Sequence, residues 1–363
     1  MNYRFDKIAF NSTAKKTPTE SDKEHYIGLE HIDSECLEIT RWGSDVAPIG
    51  EKLIIKKGDV LFGKRRAYQR KLAIAPFDGI FSAHGMVLRP NEEVVDKNYF
   101  PFFMSSDLFM ERAVQISVGG LSPTINWKDL REQEFALPSL AEQKVLADKL
   151  WAAYRLKESY KKLLAATEEM VKSQFIEMFG TVESTKPLTD FIDVSFPGEW
   201  GQEDKDGSGV KVIRTTNFTN NGKLDLSDVV TRDIDYAKVE KKKLSKGDII
   251  LERSGGTNDN PVGRVVYFEE DGVYLFNNFT QLLRCKEGVN SLFLFYSLFN
   301  YYQMNKNVIR SMGNKTTGIQ NLKMDRYWQI PIADVSIERQ KEFESIYRQA
   351  DKSGSVLLKL SSR

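Results

Sequence analysis

Residues 64–71 read Lys-Arg-Arg-Ala-Tyr-Gln-Arg-Lys, five cations in eight positions with a tyrosine and a glutamine between them. Lysine and arginine neutralise phosphates and release counterions. Arginine forks onto guanine O6/N7, and glutamine onto adenine N6/N7. Lys64, Arg65, Arg66, Tyr68, Gln69, Arg70 and Lys71 therefore have the composition of a nucleic-acid contact. Two plainer uses stay open: a solubilising surface loop, or a clamp on the acidic segment upstream. Residues 20–50 hold two cations and eight acids, a net −6, whereas residues 51–90 hold nine and three, a net +6. A whole-chain balance of 52 Lys+Arg against 51 Asp+Glu thus conceals a segregation, and for polyanion partners patch position matters more than the total.

Other chemistry finds little footing. Three histidines (His25, His31, His84) and two distant cysteines (Cys36, Cys285) do not supply metal-ligand spacing. His84 in Ser-Ala-His-Gly reads as a polar contact or core histidine, and the cysteines as two reduced core thiols. Met-Gly-Asn-Lys-Thr-Thr-Gly at 312–318 echoes a phosphate loop, but Asn314 separates the glycine from the lysine. Asp-Asn-Pro-Val at 259–262 has one proline and no aromatic, unlike the loop of amino-methyltransferases, and reads as a turn. Val-Glu-Lys-Lys-Lys at 239–243 reads as a solvated charge run, and no nucleophile setting is present. The sequence predicts a chain without catalysis of its own.

The elements that must carry the cationic cluster occur twice. Lys-Gly-Asp appears at 57–59 and again at 246–248, 189 positions on. Each opens a short apolar run, a polar loop, a second apolar run, and an Asp-Gly turn that reads as a hairpin. Each copy continues into an aromatic-rich helix-like stretch, a Gly/Ser/Thr loop (residues 117–130 and 311–324) and a β-like piece ending at Pro138 or Pro331. The order predicts a tandem duplication of a mixed α/β domain. The polar loops differ in chemistry, Gly-Lys-Arg-Arg-Ala-Tyr-Gln-Arg-Lys against Glu-Arg-Ser-Gly-Gly-Thr-Asn-Asp-Asn, as two domains recognising different things would.

Between the copies, Ser139 and Glu142 form a capping box, and Leu146, Leu150, Ala153, Tyr160, Leu163, Leu164, Thr167, Val171 and Met178 fall at helical spacing. Gly180 supplies the stop. A helix of some 40 residues, roughly 60 Å long, suggests a coiled-coil spacer, and its stripe needs a partner. Phe343, Ile346, Tyr347, Ala350, Leu357 and Leu358 near the C-terminus offer a shorter one, weakened at Gly354. The N-terminal stretch lacks the apolar core of a signal peptide, and no run approaches the roughly 20 apolar residues of a membrane span. A soluble cytoplasmic protein with no membrane contact is expected.

The stretches Gly58–His84 and Ile250–Phe268 resemble the target recognition domains of type I restriction–modification specificity subunits. The junctions into the two helices, with Pro138 five residues before Gln143 and, more loosely, Pro331 nine before Gln340, resemble that family's entry into its spacer helices. The resemblance covers essentially the whole chain: residues 1–138 a first recognition domain, 139–180 a central spacer helix, 181–335 a second recognition domain, and 336–363 a C-terminal spacer helix. It implies a mixed α/β fold with two tandem recognition domains separated by long antiparallel coiled-coil helices. It implies a non-catalytic subunit that reads a bipartite, asymmetric site on double-stranded DNA, one half per domain, with the helices setting the gap. The implied partners are two copies of an adenine methyltransferase subunit, which carry S-adenosylmethionine, and possibly restriction subunits with ATP and Mg. No cofactor or metal is expected on this chain. The implied DNA-contacting residues are Lys64, Arg65, Arg66, Tyr68, Gln69, Arg70, Ser117, Gly119, Gly120, Ser122 and Thr124 in the first domain. In the second they are Arg253, Ser254, Gly255, Thr257, Asn258, Asn314, Lys315, Thr316 and Thr317. A helical scaffold that assembles other proteins without reading sequence is the competing reading.

Overall fold

A computed structural model describes every residue except Asn258, Thr317, Gly318, Ser362 and Arg363, and the side chains of residues 315, 316 and 353–361 are likewise outside the description. The chain divides into two compact units, Met1–Glu158 and Ser159–Arg363, with the division falling inside one continuous helix, Leu140–Phe179.

Both units are built on one plan. In the first, a four-stranded sheet has the order Ala9–Ser12, Met86–Pro90, Val60–Phe62, Leu72–Ile74, and a second has the order Lys15–Lys16, Lys52–Ile55, Gly79–Phe81, Tyr26–Ile27. In the second unit the orders are Ile192–Val194, Thr280–Cys285, Ile249–Glu252, Val265–Tyr267, and Gln202–Glu203, Val230–Asp233, Val210–Ile213, Tyr274–Phe276. The parallel pair recurs as well: Ile27 lies opposite Phe81, and Ile213 opposite Phe276. A two-stranded ladder closes each unit, Asn2–Arg4 with Glu134–Ala136 and Thr185–Pro187 with Pro331–Ala333.

The Lys-Gly-Asp repeat is the clasp of this plan. Asp59 and Asp248 are buried, and each carboxylate accepts two guanidinium bonds, from Arg89 (2.7 and 2.8 Å) and from Arg284 (2.8 and 2.6 Å). Each also accepts the backbone N–H three residues upstream, of Lys56 and Ser245. The glycines before them hold φ of 91° and 92°, a left-handed backbone that glycine adopts without a Cβ penalty. Buried carboxylates require this full set of donors.

The Asp-Gly turns do not close hairpins. Leu72–Ile74 and Gly79–Phe81 belong to different sheets, as do Val265–Tyr267 and Tyr274–Phe276. The turn passes the chain from one sheet to the other, and at Gly79 a Cβ would lie 2.3 Å from the His25 carbonyl oxygen. Glycine there serves a close approach between backbones rather than a tight reversal.

The central helix starts as its capping box specifies: the Glu142 carboxylate accepts from Ser139 N (2.8 Å) and Oγ (2.7 Å), bonds that hold its pKa below the usual carboxylate value. Its packing face follows the expected stripe in the second unit, at Val171 and Met178, and departs from it in the first. Against the first unit it buries Gln143 and Ala147 and sets Trp151 and Tyr154 on Phe102. Within the second unit it buries Val171, Phe175 and Phe179. Leu146, Leu150 and Leu163 remain more than a third exposed, because the domain surface meets the helix along the 143/147/151/154 line. The C-terminal helix, Ile337–Ser361, runs antiparallel to the end of the central one. Arg339 Nη2 donates to the Met178 carbonyl (2.6 Å), and Phe343 meets the Phe175 and Phe179 rings at 5.0 and 6.0 Å. Leu357 and Leu358 fall among the undescribed side chains.

Each helix is fastened by a buried glutamine in its first turns. Gln143 Oε1 accepts from Asp96 N (2.8 Å), and Nε2 donates to the carbonyls of Val94 (3.1 Å) and Pro138 (2.9 Å). Gln340 Oε1 accepts from Asn290 N (2.9 Å), and Nε2 donates to Val335 O (3.0 Å). Five residues separate glutamine and acceptor in both, so the counterpart of Pro138 is Val335. Pro331 instead opens the closing strand, as Glu134 does. The second junction is therefore as tight as the first.

Replacing Gln143 with alanine strands three polar groups at about 1–3 kcal/mol per unsatisfied group. The expected loss is about 3 kcal/mol or more in urea unfolding, against about 1 kcal/mol for removing the cap in Ser139→Ala. Equal losses would show that the glutamine is not a structural fastener.

Candidate nucleic-acid interface

In the first unit the chain leaves the sheet after Phe62, and residues 64–66 run alongside the 117–124 loop. Ile125 N donates to Lys64 O (2.9 Å), Arg65 bridges Thr124, and Arg66 N donates to Pro123 O (2.7 Å). The loop is itself a small hairpin, with Val118 and Thr124 exchanging both backbone bonds (3.0 and 2.9 Å) and Gly119 at φ 114° in its tip. Two sets of candidates far apart in sequence thus share one surface. Arg66 Nε donates to Ser122 Oγ (3.1 Å), while the hydroxyls of Ser117 and Thr124 turn to the carbonyls of Val114 and Ser122. Gly120 and the tip residues Val118 and Leu121 are exposed, as is Tyr68 on the turn Ala67–Gln69.

The cationic cluster divides in two. Arg70 is tied to Asp107 and the Ser105 carbonyl, with Glu35 at 3.7 Å. Lys71 donates to Leu29 O, Ser34 Oγ donates to Gln69 O (2.6 Å), and Glu35 N bonds to Arg70 O (3.4 Å). Residues 69–71 therefore perform the clamp on the acidic segment that the composition left open. Lys64, Arg65 and Arg66 take no part in it, Arg65 and Arg66 being exposed and Lys64 half-buried. Burial, with the Lys15 charge nearby, holds the Lys64 pKa below its usual value, so an approaching anion would relieve both costs. Arg66 and Arg70 flank the turn in the left-handed region, at φ 57° and 52°, where a non-glycine residue is strained by roughly 1–2 kcal/mol.

The second unit repeats the arrangement with other side chains. Leu322 N donates to Arg253 O (2.8 Å), and Ser254–Gly255 pairs with the strand Ile319–Leu322, which pairs in turn with Gly313–Thr316. Ile125 and Leu322 thus bond to Lys64 and Arg253, Thr124 and Asn321 lie opposite Arg65 and Ser254, and Gly255, at φ 118°, stands where Arg66 does. Ser254 is buried, its Oγ bonded to Asn321 Oδ1 (2.7 Å). Thr257 and Asn314 are exposed. Lys315 and Thr316 lie in the strand, and Asn258 and Thr317 fall outside the described residues. Residues 313–316 being a strand, the phosphate-loop echo has no loop-to-helix setting.

Beneath this surface Glu252 is 1% exposed and accepts from Arg264 Nε (2.7 Å) and Nη2 (3.1 Å), and from Gly256 N (3.4 Å). Burial opposes the Arg264 charge, but the Glu252 bonds outweigh it and raise the pKa. The pair holds the glycine loop in place. Sequence reading missed Glu252, Gln320 and Asn321. The one signal for the last two was their offset of 197 from Pro123 and Thr124, which the 189-residue offset of Lys-Gly-Asp obscures. Among the described residues no cluster of His, Cys, Asp and Glu could hold a metal. Both cysteines are free and half-buried, and burial pushes the Cys285 thiol up to about 12.

Glu252→Ala leaves the Arg264 guanidinium without its carboxylate. A loss of about 3–5 kcal/mol in the unfolding of the second unit is expected. Unfolding by calorimetry that matches the parent would refute the role assigned to the pair.

The family model described as type I restriction modification DNA specificity domain matches twice, at residues 10–169 and 183–354. A type I restriction enzyme EcoDI specificity subunit of Escherichia coli is 27% identical over 142 residues, which is 39% of this chain and 31% of that relative's length. The S subunit of a type I restriction–modification system from M. genitalium aligns over 100% of this chain and 92% of its own, at 13% identity and a TM-score of 0.56. A chain from a structure concerned with complex assembly and conformational transition of the type I R-M system aligns over 100% and 93%, at 16% identity and 0.53. At such identities these two likenesses speak to the fold alone.

Proposed function

The chain belongs to the type I restriction modification DNA specificity domain family, and from that premise we propose that it is the non-catalytic, sequence-reading subunit of a type I restriction–modification complex. Residues 1–138 and 181–335 act as recognition domains for the two halves of a bipartite site on double-stranded DNA. Residues 139–180 and 336–363 act as the spacer that fixes the gap and docks two adenine methyltransferase subunits. S-adenosylmethionine belongs to those subunits, and ATP with Mg to restriction subunits where they join. The assembly works in the cytoplasm; no helix among the described residues is long and apolar enough to cross a membrane.

The observation that carries the reading is the pair of equivalent surfaces. One frame presents Lys64, Arg65, Arg66, Tyr68, Ser122 and the hairpin tip in the first unit. In the second it presents Arg253, Gly255, Thr257 and Asn314. Same frame and different side chains is what two readers of two different sequences require, since phosphate contacts position and base contacts specify. A rigid spacer then converts helix length into half-site spacing, as dimer geometry does for palindromic readers. Arg70, committed to the clamp, orients the turn rather than touching bases.

Adenine-methylation mapping tests the reading, with the chain co-expressed with a methyltransferase subunit. The parent should give one bipartite motif, and exchanging residues 1–138 for those of another family member should change only its first half. The combined change of Lys64, Arg65 and Arg66 to alanine should abolish methylation at that motif by more than about 100-fold while the complex still assembles. Methylation that persists regardless of the recognition domain would leave a scaffold in place of a reader.

A further inference from the structure

Three described non-glycine residues hold a positive φ: Glu35, Arg66 and Arg70. Two are accounted for by one another, since Arg70 pairs with Asp107 and Glu35 and together they fasten the 29–35 segment. Arg66 takes no part in that clamp. Its backbone is pinned by the bond to Pro123 O, and its guanidinium by the bond from Nε to Ser122 Oγ at 3.1 Å. With Nε engaged, the terminal Nη1 and Nη2 have no hydrogen-bond or ion-pair partner among the described residues. The residue is exposed.

The other copy shows what the frame itself asks for at this position. Gly255 occupies it, also with positive φ, and pairs with Gln320 as Arg66 pairs with Pro123. The frame therefore needs a left-handed backbone here, and glycine meets that need without strain. The first unit instead carries a long side chain at the strained position. Strain kept at an exposed site, where no packing requires the side chain, points to function.

We propose that Arg66 is a guanine-reading residue of the first half-site, with Ser122 as its positioning residue; the assignment rests on the function proposed above. The Nη1/Nη2 edge offers two parallel donors. Guanine alone presents two acceptors side by side, N7 and O6, to the major groove, whereas adenine pairs an acceptor with a donor. The hydroxyl of Ser122 fixes the plane of the guanidinium, so the fork is formed before the DNA arrives. A lysine carries charge but no fork, and the cluster already supplies Lys64 and Arg65 for phosphates. The second domain, with glycine at the equivalent place, has no such reader, so the two half-sites differ in kind at this contact.

The test uses the complex of the full chain with its methyltransferase subunits, assayed on duplex oligonucleotides carrying the mapped motif and each single-base replacement. The parent should show a guanine in the first half-site whose replacement slows methylation by roughly 10- to 100-fold. Arg66→Gly, which gives the first copy the residue of the second, should erase preference at that position alone. It should leave the second half-site unaltered and keep or raise the thermal midpoint. Arg66→Lys should lose the preference too, and Ser122→Ala should weaken it several-fold. A first half-site without guanine overturns the assignment while leaving the proposed function standing. So does an Arg66→Gly loss spread evenly over all sequences with a shallower salt dependence, which marks a phosphate contact. Absence of any bipartite motif with the parent would instead overturn the proposed function itself.

Discussion

The structure depends on a side-chain amide repeated at two helix starts. Gln143 and Gln340 each satisfy the N–H at the entrance to a domain helix with Oε1, and return a donor to the carbonyl five residues back. Gln143 reaches a second carbonyl, that of Val94. An amide is the one side chain that supplies acceptor and donors from the same carbon. Glutamate would offer two acceptors and no donor, and an apolar residue neither. Each glutamine thereby fixes a domain and a spacer helix as one object.

The second constraint lies in the strand that begins at Asp59 or Asp248. The buried carboxylate is saturated by a bidentate arginine and a backbone N–H, so the start of the strand is fixed, and so is the point where the chain emerges at its far end. That exit is where Lys64 and Arg253 stand, each with its carbonyl bonded to a buried residue of the neighbouring strand or hairpin. The backbone of the site is thus placed by interactions in which its side chains take no part. Residue type at the exit differs between the two copies, Lys64-Arg65-Arg66 against Arg253-Ser254-Gly255, while the backbone pairing is kept.

Much of this was legible in the sequence because it is repeated there. Lys-Gly-Asp, the capping box at Ser139 and Glu142, and the 40-residue helix all rest on local chemistry with a fixed register, and the helix runs Leu140–Phe179. The hairpin reading failed because Asp-Gly reports a turn, not the partner of the flanking strands; here three-residue strands pair across to two different sheets. The stripe on the central helix held at Val171 and Met178 but failed in its first half, for a related reason. Apolar spacing names a face, but Gln143, a polar residue outside that stripe, marks the face that is buried. The Glu252–Arg264 pair could not be foreseen, since nothing in a sequence says which charges meet.

The cationic cluster shows how composition underdetermines use. Eight adjacent residues divide between two tasks because the turn Ala67–Gln69 reverses the chain between two left-handed arginines. Residues 64–66, before the turn, lie beside the 117–124 hairpin, and Arg70, after it, lies against acids of the same unit. Surface ion pairs such as Arg70 with Asp107 contribute little stability one by one. Their effect here is geometric: they hold the far side of the turn against the domain and leave the near side facing outward. A neutral chain can therefore offer a concentrated positive edge, since the same turn pairs Arg70 with acids, ties Lys71 to a backbone carbonyl and leaves Arg65 and Arg66 exposed.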